Sequence, residues 1–298
     1  MLQDQESFDD PHMNGLLPAQ APSRRGFIAA SASVGFALAA GPINAQSAIH
    51  TPADGLDVAD LMVPVADGKM MPGYRAAPAK AGKYPVVLVI PEVFGMHEYQ
   101  KDICRRLAKV GYFAVTLDPF FRMGDLSKMT DIGAVVKAAN SLADPQMLSD
   151  LDSLVAFVDK QPKADTRHMG ITGMCRGGRT VWMYTAHSPR IKAGVAWYGG
   201  LNAAPPAMPQ TPLDVAGQLH APVLGLYGGA DPSIPVSEVA RLQELLKDGN
   251  KNEKASRFIL FPGVGHAFHA DYRASYNKDA AEKGWAAMLD WFKSHGVG

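Results

Sequence analysis

The chain has 298 residues, 47% of them hydrophobic and 19% charged, so it is long and apolar enough to bury one large core or two small ones. Lysine plus arginine equals aspartate plus glutamate at 29 each, which argues against a nucleic-acid or strongly charged partner. No internal repeat and no run of like charges points to a solenoid or an interaction tail.

Residues 1–45 read as a leader. Met1 to Pro22 is polar and irregular, and Ser23-Arg24-Arg25-Gly26-Phe27-Ile28-Ala29 then opens a mostly small, apolar run to Ala40. Adjacent arginines ahead of a weakly hydrophobic segment resemble a twin-arginine export signal. The run is about fifteen residues, short of the roughly twenty that a spanning helix needs. Ile43-Asn44-Ala45 offers small residues for cleavage, so the expected mature chain starts near Gln46. The expectation is a protein folded before transport, handed to the twin-arginine translocase, and periplasmic or exported with no stable membrane span after cleavage.

Residues 46–298 then alternate strands and helices. Leu56 to Asp67 and Met70 to Ala77 predict a hairpin turning at Asp67-Gly68. Val86-Val87-Leu88-Val89-Ile90 is a continuous β-branched and aliphatic run, the pattern of a parallel strand buried on both faces. A helix follows over 98–110, with Ile103, Leu107 and Val110 on one face and Cys104 as a buried thiol. Tyr112 to Leu117 predicts a strand, Asp118 to Thr130 a loop, and Ile132 to Lys160 a helical stretch. His168 to Met174 predicts the next strand, with a helix to His187 and a strand over Ala193 to Tyr198. Pro222 to Tyr227 and Phe258 to Phe261 complete the strands; helices follow around Val236 to Lys247 and Asp279 to Ser294. This alternation predicts one α/β domain, a three-layer sandwich with a mainly parallel sheet and helices on both faces.

The chemistry concentrates at the carboxyl ends of the predicted strands, where such sheets bind ligands. Gly173-Met174-Cys175-Arg176-Gly177-Gly178 has the layout of a nucleophile elbow, a sharp strand-to-helix turn whose glycines make room for a strained nucleophile. Cys175 at a helix N-terminus faces unpaired amides and a dipole that favour a thiolate. Asp231 follows the strand 222–227 and His266 follows the strand 258–261, so nucleophile, acid and histidine occur in one order, each just after a strand. Singly, each has an ordinary explanation: a small apolar filler, a turn aspartate before Pro232, an exposed loop histidine. With only Cys104 and Cys175 present, a catalytic thiol argues against a disulfide. No histidine, cysteine or carboxylate spacing favours a metal, and no cofactor is expected.

Taken together these segments resemble the dienelactone hydrolase (carboxymethylenebutenolidase-like) family, a branch of the α/β-hydrolases with a cysteine nucleophile. The matching pieces are Gly173-x-Cys175-x-Gly177-Gly178, Pro91-Glu92-Val93-Phe94-Gly95, Gly229-Ala230-Asp231 and Gly265-His266-Ala267-Phe268, within a likeness spanning about residues 55–295. The resemblance implies a Cys175–His266–Asp231 triad, with the amides of Val93 and Arg176 as oxyanion hole. Glu92 is implied to pair with the resting thiol and to shift when substrate arrives; by its position alone it could instead cap the helix that follows. Tyr198 and Phe94 are implied to line the pocket, though both are equally suited to a core.

The chain also departs from the family pattern. Substrate-binding arginines of the family have no counterpart at Ala270, nor in the earlier region that offers only Lys128 and Lys137; Arg273, in His269-x-Asp271-Tyr272-Arg273, is the candidate substitute. The function implied is hydrolysis of a small-molecule ester or lactone. The alternatives are a broad carboxylesterase or thioesterase, and a non-catalytic binding protein of this fold; a redox role for Cys175 lacks a resolving cysteine nearby.

Overall fold

The computed structural model describes residues 48–129, 131–202 and 206–298. The leader expected over 1–45 lies outside them. Eight strands form one sheet in the order β1-β2-β4-β3-β5-β6-β7-β8. β1 (Leu56–Pro64) and β2 (Met70–Pro78) are the antiparallel hairpin, and β2 pairs antiparallel with β4 (Phe113–Leu117). From β4 onward the sheet is parallel through β3 (Tyr84–Ile90), β5 (Ala164–Met174), β6 (Ala193–Trp197), β7 (Val223–Gly228) and β8 (Arg257–Phe261). Val86 to Ile90 are all fully buried, as a central parallel strand requires.

Seven helices complete the described residues: α1 (Glu98–Lys109), α2 (Ile132–Asn140), α3 (Asp144–Val158), α4 (Arg176–His187), α5 (Val236–Lys247), α6 (Lys251–Ala255) and α7 (Lys278–Ser294). Side chains of a strand alternate between the two faces of the sheet. On β5 a methyl added at Gly170 would meet Phe292 of α7, whereas one at Gly173, of opposite parity, would meet Gly177 of α4. On β6, Gly194 faces Val181 of α4 and Trp197 meets Gly284 of α7. Helices α4 and α7 therefore cover opposite faces, giving three layers.

Several boundaries differ from the sequence reading. The stretch 132–160 is two helices, because Pro145 sits in the first turn of α3, where its missing N–H costs nothing, and the chain breaks over Ser141–Ala143. Val110 is the C-cap of α1 and is 52% exposed, so it leaves the buried face that Ile103 and Leu107 share. The first strand stops at Pro64, and Val65 to Lys69 form the turn, with Gly68 at φ 80°. Two short 3-10 turns, 121–123 and 126–128, occupy the loop after β4. The elbow strand starts earlier, at Ala164, with a register shift against Pro85/Val86. Helix α6 arises from a capping box, Asn250 with Glu253, a pattern legible in the sequence but short.

The first described residues strap back over the fold. The Ile49 amide donates to Asp271 Oδ1 at 3.3 Å and the Thr51 amide to Asp102 Oδ1 at 2.6 Å, while Arg105 Nε donates to the Thr51 carbonyl at 2.8 Å. Among the described residues no helix is long and apolar enough to cross a membrane.

Candidate active site

The strand β5 delivers Cys175 into a turn at φ 54°, ψ −116°, the left-handed side of backbone space that costs an L-residue energy. The turn is held by the Cys175 amide donating to the Trp197 carbonyl at 3.0 Å and the Arg179 amide donating to the Cys175 carbonyl at 3.1 Å. Neighbouring glycines are demanded by contact: a methyl at Gly173 would lie 2.5 Å from the Gly177 carbonyl oxygen, and one at Gly177 would run into the carbonyls of Ile90 and Pro91. The same contact brings the loop after β3, with Glu92 and Val93, against the first turn of α4.

Asp231 and His266, from the loops after β7 and β8, meet in the interior. His266 Nδ1 lies 2.6 Å from Asp231 Oδ2, and both side chains are almost fully buried. Asp231 Oδ1 accepts from the Ser233 amide at 2.9 Å and its hydroxyl at 2.6 Å, so Asp231 makes the local turn and holds the histidine at once. Burial opposes charge on both partners. It is overcome at Asp231, whose carboxyl is lowered by His266 and Ser233. It is also overcome at His266, where Asp231 and then Cys175 push the imidazole up to about 10. His266 Nε2 is buried without a hydrogen-bond partner, and the influence of Cys175 on the ring sets the sulfur beside it.

The remaining predicted residues gather around this trio. Val93 and Arg176 make no amide-donated hydrogen bond among the described residues. Tyr198, at φ 38°, packs its ring edge-on to His266 at 5.0 Å, and its buried hydroxyl lacks a hydrogen-bond partner. Glu92, 1% exposed, does not cap the helix that follows: His97 is the N-cap of α1, with Gln100 Oε1 accepting from its amide at 3.2 Å. Instead Glu92 Oε2 accepts from the Tyr272 hydroxyl at 2.6 Å, and Oε1 has no partner, so no hydrogen bond joins Glu92 to Cys175.

Phe94 is buried, with the Arg273 guanidinium 5.7 Å from its ring centre. Lys128, by contrast, is exposed and paired with Asp125, and Lys137 is exposed on α2. Both cysteines are free; Cys104 is fully buried in α1, which pushes its thiol well up.

Sequence alone does not single out Ser233, the Tyr272–Glu92 bond, the buried Tyr99–His269 pair (2.6 Å) or the Arg176 side chain. Arg176 Nη2 donates to the Leu142 carbonyl at 3.1 Å, but Nε and Nη1 find no partner, and burial, with Arg179 nearby, pushes the group down to about 9. Of these, only Ser233 had a local signal, a hydroxyl residue two positions after a turn aspartate.

The dienelactone hydrolase family model matches residues 71–296. A Methylorubrum extorquens protein named "Putative carboxymethylenebutenolidase" is 48% identical over 290 residues, 97% of this chain and 98% of its own. An Escherichia coli protein of the same name is 42% identical over 265 residues, covering 88% of this chain and 96% of its own. The crystal structure of a "Putative Dienelactone Hydrolase" from Klebsiella pneumoniae superposes with a TM-score of 0.76 at 41% identity, covering 80% of this chain and 98% of that one. A family match across three quarters of the chain, relatives aligned nearly end to end and a sheet of the same architecture agree: the chain belongs to the dienelactone hydrolase family and is a hydrolase acting on esters or lactones.

Proposed function

We propose that the chain hydrolyses lactones or small carboxylic esters through a Cys175–His266–Asp231 triad. The observation that carries this reading is the buried 2.6 Å bond between His266 and Asp231, which leaves His266 Nε2 without a partner on the side of Cys175. In the proposed cycle the thiol proton already rests on His266 Nε2, whose imidazole Asp231 and Cys175 raise to about 10, when sulfur attacks the ester carbonyl. Asp231 orients the ring and stabilises its cationic form. The Val93 and Arg176 amides, which have no acceptor among the described residues, bind the developing oxyanion. Collapse breaks the C–O bond, and the leaving oxygen takes the proton from His266; in a lactone it stays tethered to the acyl group. A water deprotonated by His266 then hydrolyses the thioester and returns the proton to sulfur.

Phe94, Tyr198 and Arg273 are proposed to shape the substrate site. The Arg24-Arg25 segment supports export through the twin-arginine translocase to the periplasm.

The test is single-turnover hydrolysis of a panel of activated esters and lactones, a dienelactone included, by the full-length chain and by Cys175→Ala. The expected outcome is a loss of at least about a thousandfold in the variant, with lactones turned over fastest by the parent. A folded Cys175→Ala protein that hydrolyses the panel as fast as the parent removes Cys175 from the mechanism.

A further inference from the structure

The segment Ala267 to Arg273 is bound on both sides of Tyr272. Asp271 pairs with Arg106 of α1 and accepts from the Ile49 amide, and Arg273 lies over the Phe94 ring at 5.7 Å. Between them the Tyr272 ring is wedged against His97 (5.1 Å between centres) and Tyr99 (5.2 Å), and Tyr99 is itself held by His269. The phenol so fixed donates its O–H to Glu92 Oε2 at 2.6 Å. Glu92 is a side chain with three rotatable bonds, anchored here by one oxygen. Its other oxygen, Oε1, is buried with no partner, and its backbone lies one residue beyond Pro91, the residue whose carbonyl abuts Gly177 of the elbow. A buried carboxylate oxygen without a donor is uncommon and calls for an explanation.

We infer that Tyr272 is a positioning residue that holds the Glu92 carboxylate off the Cys175 thiol, and that this hydrogen bond sets how readily Glu92 acts on Cys175. The inference rests on the hydrolase reading for its consequence in turnover, but not for its effect on the thiol. The donor is fixed by its packing, and the acceptor is tied through one of its two oxygens. Burial, and then Glu92 itself, pushes the Tyr272 hydroxyl well above its ordinary range, so it remains a donor at any working pH. The other titratable or charged groups facing Glu92 are Tyr99 and Tyr198, with Cys175 beside Tyr198, and Arg273 and His97 beside Tyr272. None of the three phenols is acidic enough to titrate near neutrality, and His266, which faces Cys175 from the loop after β8, is already raised to about 10, so the Tyr272–Glu92 latch acts through the approach of Glu92 to Cys175.

The experiment is a double-mutant cycle of Tyr272→Phe and Glu92→Gln in the full-length chain. It reads the pH dependence of Cys175 alkylation by iodoacetamide, followed by peptide mass, and single-turnover hydrolysis alongside. Phenylalanine keeps the ring in its slot and removes only the donor. Tyr272→Phe is expected to move the alkylation midpoint by about half a pH unit or more and to change the hydrolysis rate about tenfold. In the Glu92→Gln background the same substitution is expected to move neither. Asp271→Asn, which loosens the segment from Arg106 and leaves Tyr272 in place, is expected to give a smaller shift in the same direction, and it serves if Tyr272→Phe does not fold. Equal effects in both backgrounds, or an unmoved alkylation profile in both folded variants, overturn the inference. Alkylation needs no substrate, so an inactive ester panel would count against the hydrolase reading and leave this result standing.

Discussion

At Gly177 an added methyl group would press on the Ile90 and Pro91 carbonyls, backbone atoms that cannot swing aside. Gly177→Ala is therefore expected to cost about 1–3 kcal/mol of stability in urea unfolding and to lower turnover, because the loop it displaces carries Glu92 and the Val93 amide. A variant as stable and active as the parent would mean that this close approach is not required. The same residue explains why the elbow is legible in the sequence. Glycines two positions on either side of Cys175 are a local demand of the turn, readable without knowing what packs against it. The order of Cys175, Asp231 and His266 is legible for a similar reason, since each side chain sits just past a recognisable strand. The Tyr272–Glu92 bond is different. Its partners lie 180 positions apart, and neither carries a local signal for the other. Glu92, five positions before the His97 cap, suits helix capping as well as catalysis when only the chain order is known; burial and the phenol beside it decide the matter.

Two helices are clasped beside the elbow by a pair buried from water. Arg179 of α4 donates to both oxygens of Asp144, the first residue of α3, at 2.7 and 2.8 Å, and also reaches the Gln210 carbonyl. Removing one partner strands the other charge in the interior. Asp144→Ala is expected to destabilise the protein by about 3–5 kcal/mol, and the paired replacement Asp144→Leu with Arg179→Met to recover most of that loss. Urea midpoints for the two variants check this; a single replacement costing no more than the pair would show that the clasp carries no charge penalty. The clasp also accounts for a boundary that hydrophobic patterning misses. Apolar residues recur at helical spacing on both sides of Ser141–Ala143, so the pattern runs on through a break imposed by Pro145 and fastened by Asp144.

Across the whole molecule, proton linkage is set by histidines with opposite environments. Burial, with Arg273 nearby, depresses His97 to about 4, and burial with Arg106 depresses His269 to about 3. Both stay neutral in the fold while the unfolded chain takes up protons below about 6.5. Stability is therefore present above that pH and is lost as pH falls toward about 4 and about 3. Asp118, lifted to about 6 by burial, works the other way over part of that window. His266, raised to about 10, contributes stability that is complete below about 6.5 and lost as pH rises through about 10. His269→Gln is expected to flatten the acid limb between pH 6.5 and 4.5 by one proton, at most about 1.4 kcal/mol per pH unit. Urea unfolding across that range measures it, and an unchanged slope would place a charged imidazole at position 269. The fold class was legible at this scale because strand runs, helix periods and their alternation are properties of the chain itself, whereas these pKa displacements come from who is buried beside whom.

The first described residues and the carboxyl end are not equivalent for anyone attaching something to this protein. Ile49 and Thr51 are tied to Asp271 and Asp102, so a purification handle or a dye joined directly at Ile49 would pull on the segment that carries Tyr272. Gly298 instead rests near Lys293 and Tyr112, just ahead of β4 and so at the amino ends of the parallel strands, opposite the carboxyl ends that bear Cys175. Immobilisation through Gly298 leaves the chemistry facing the solution and the strap undisturbed.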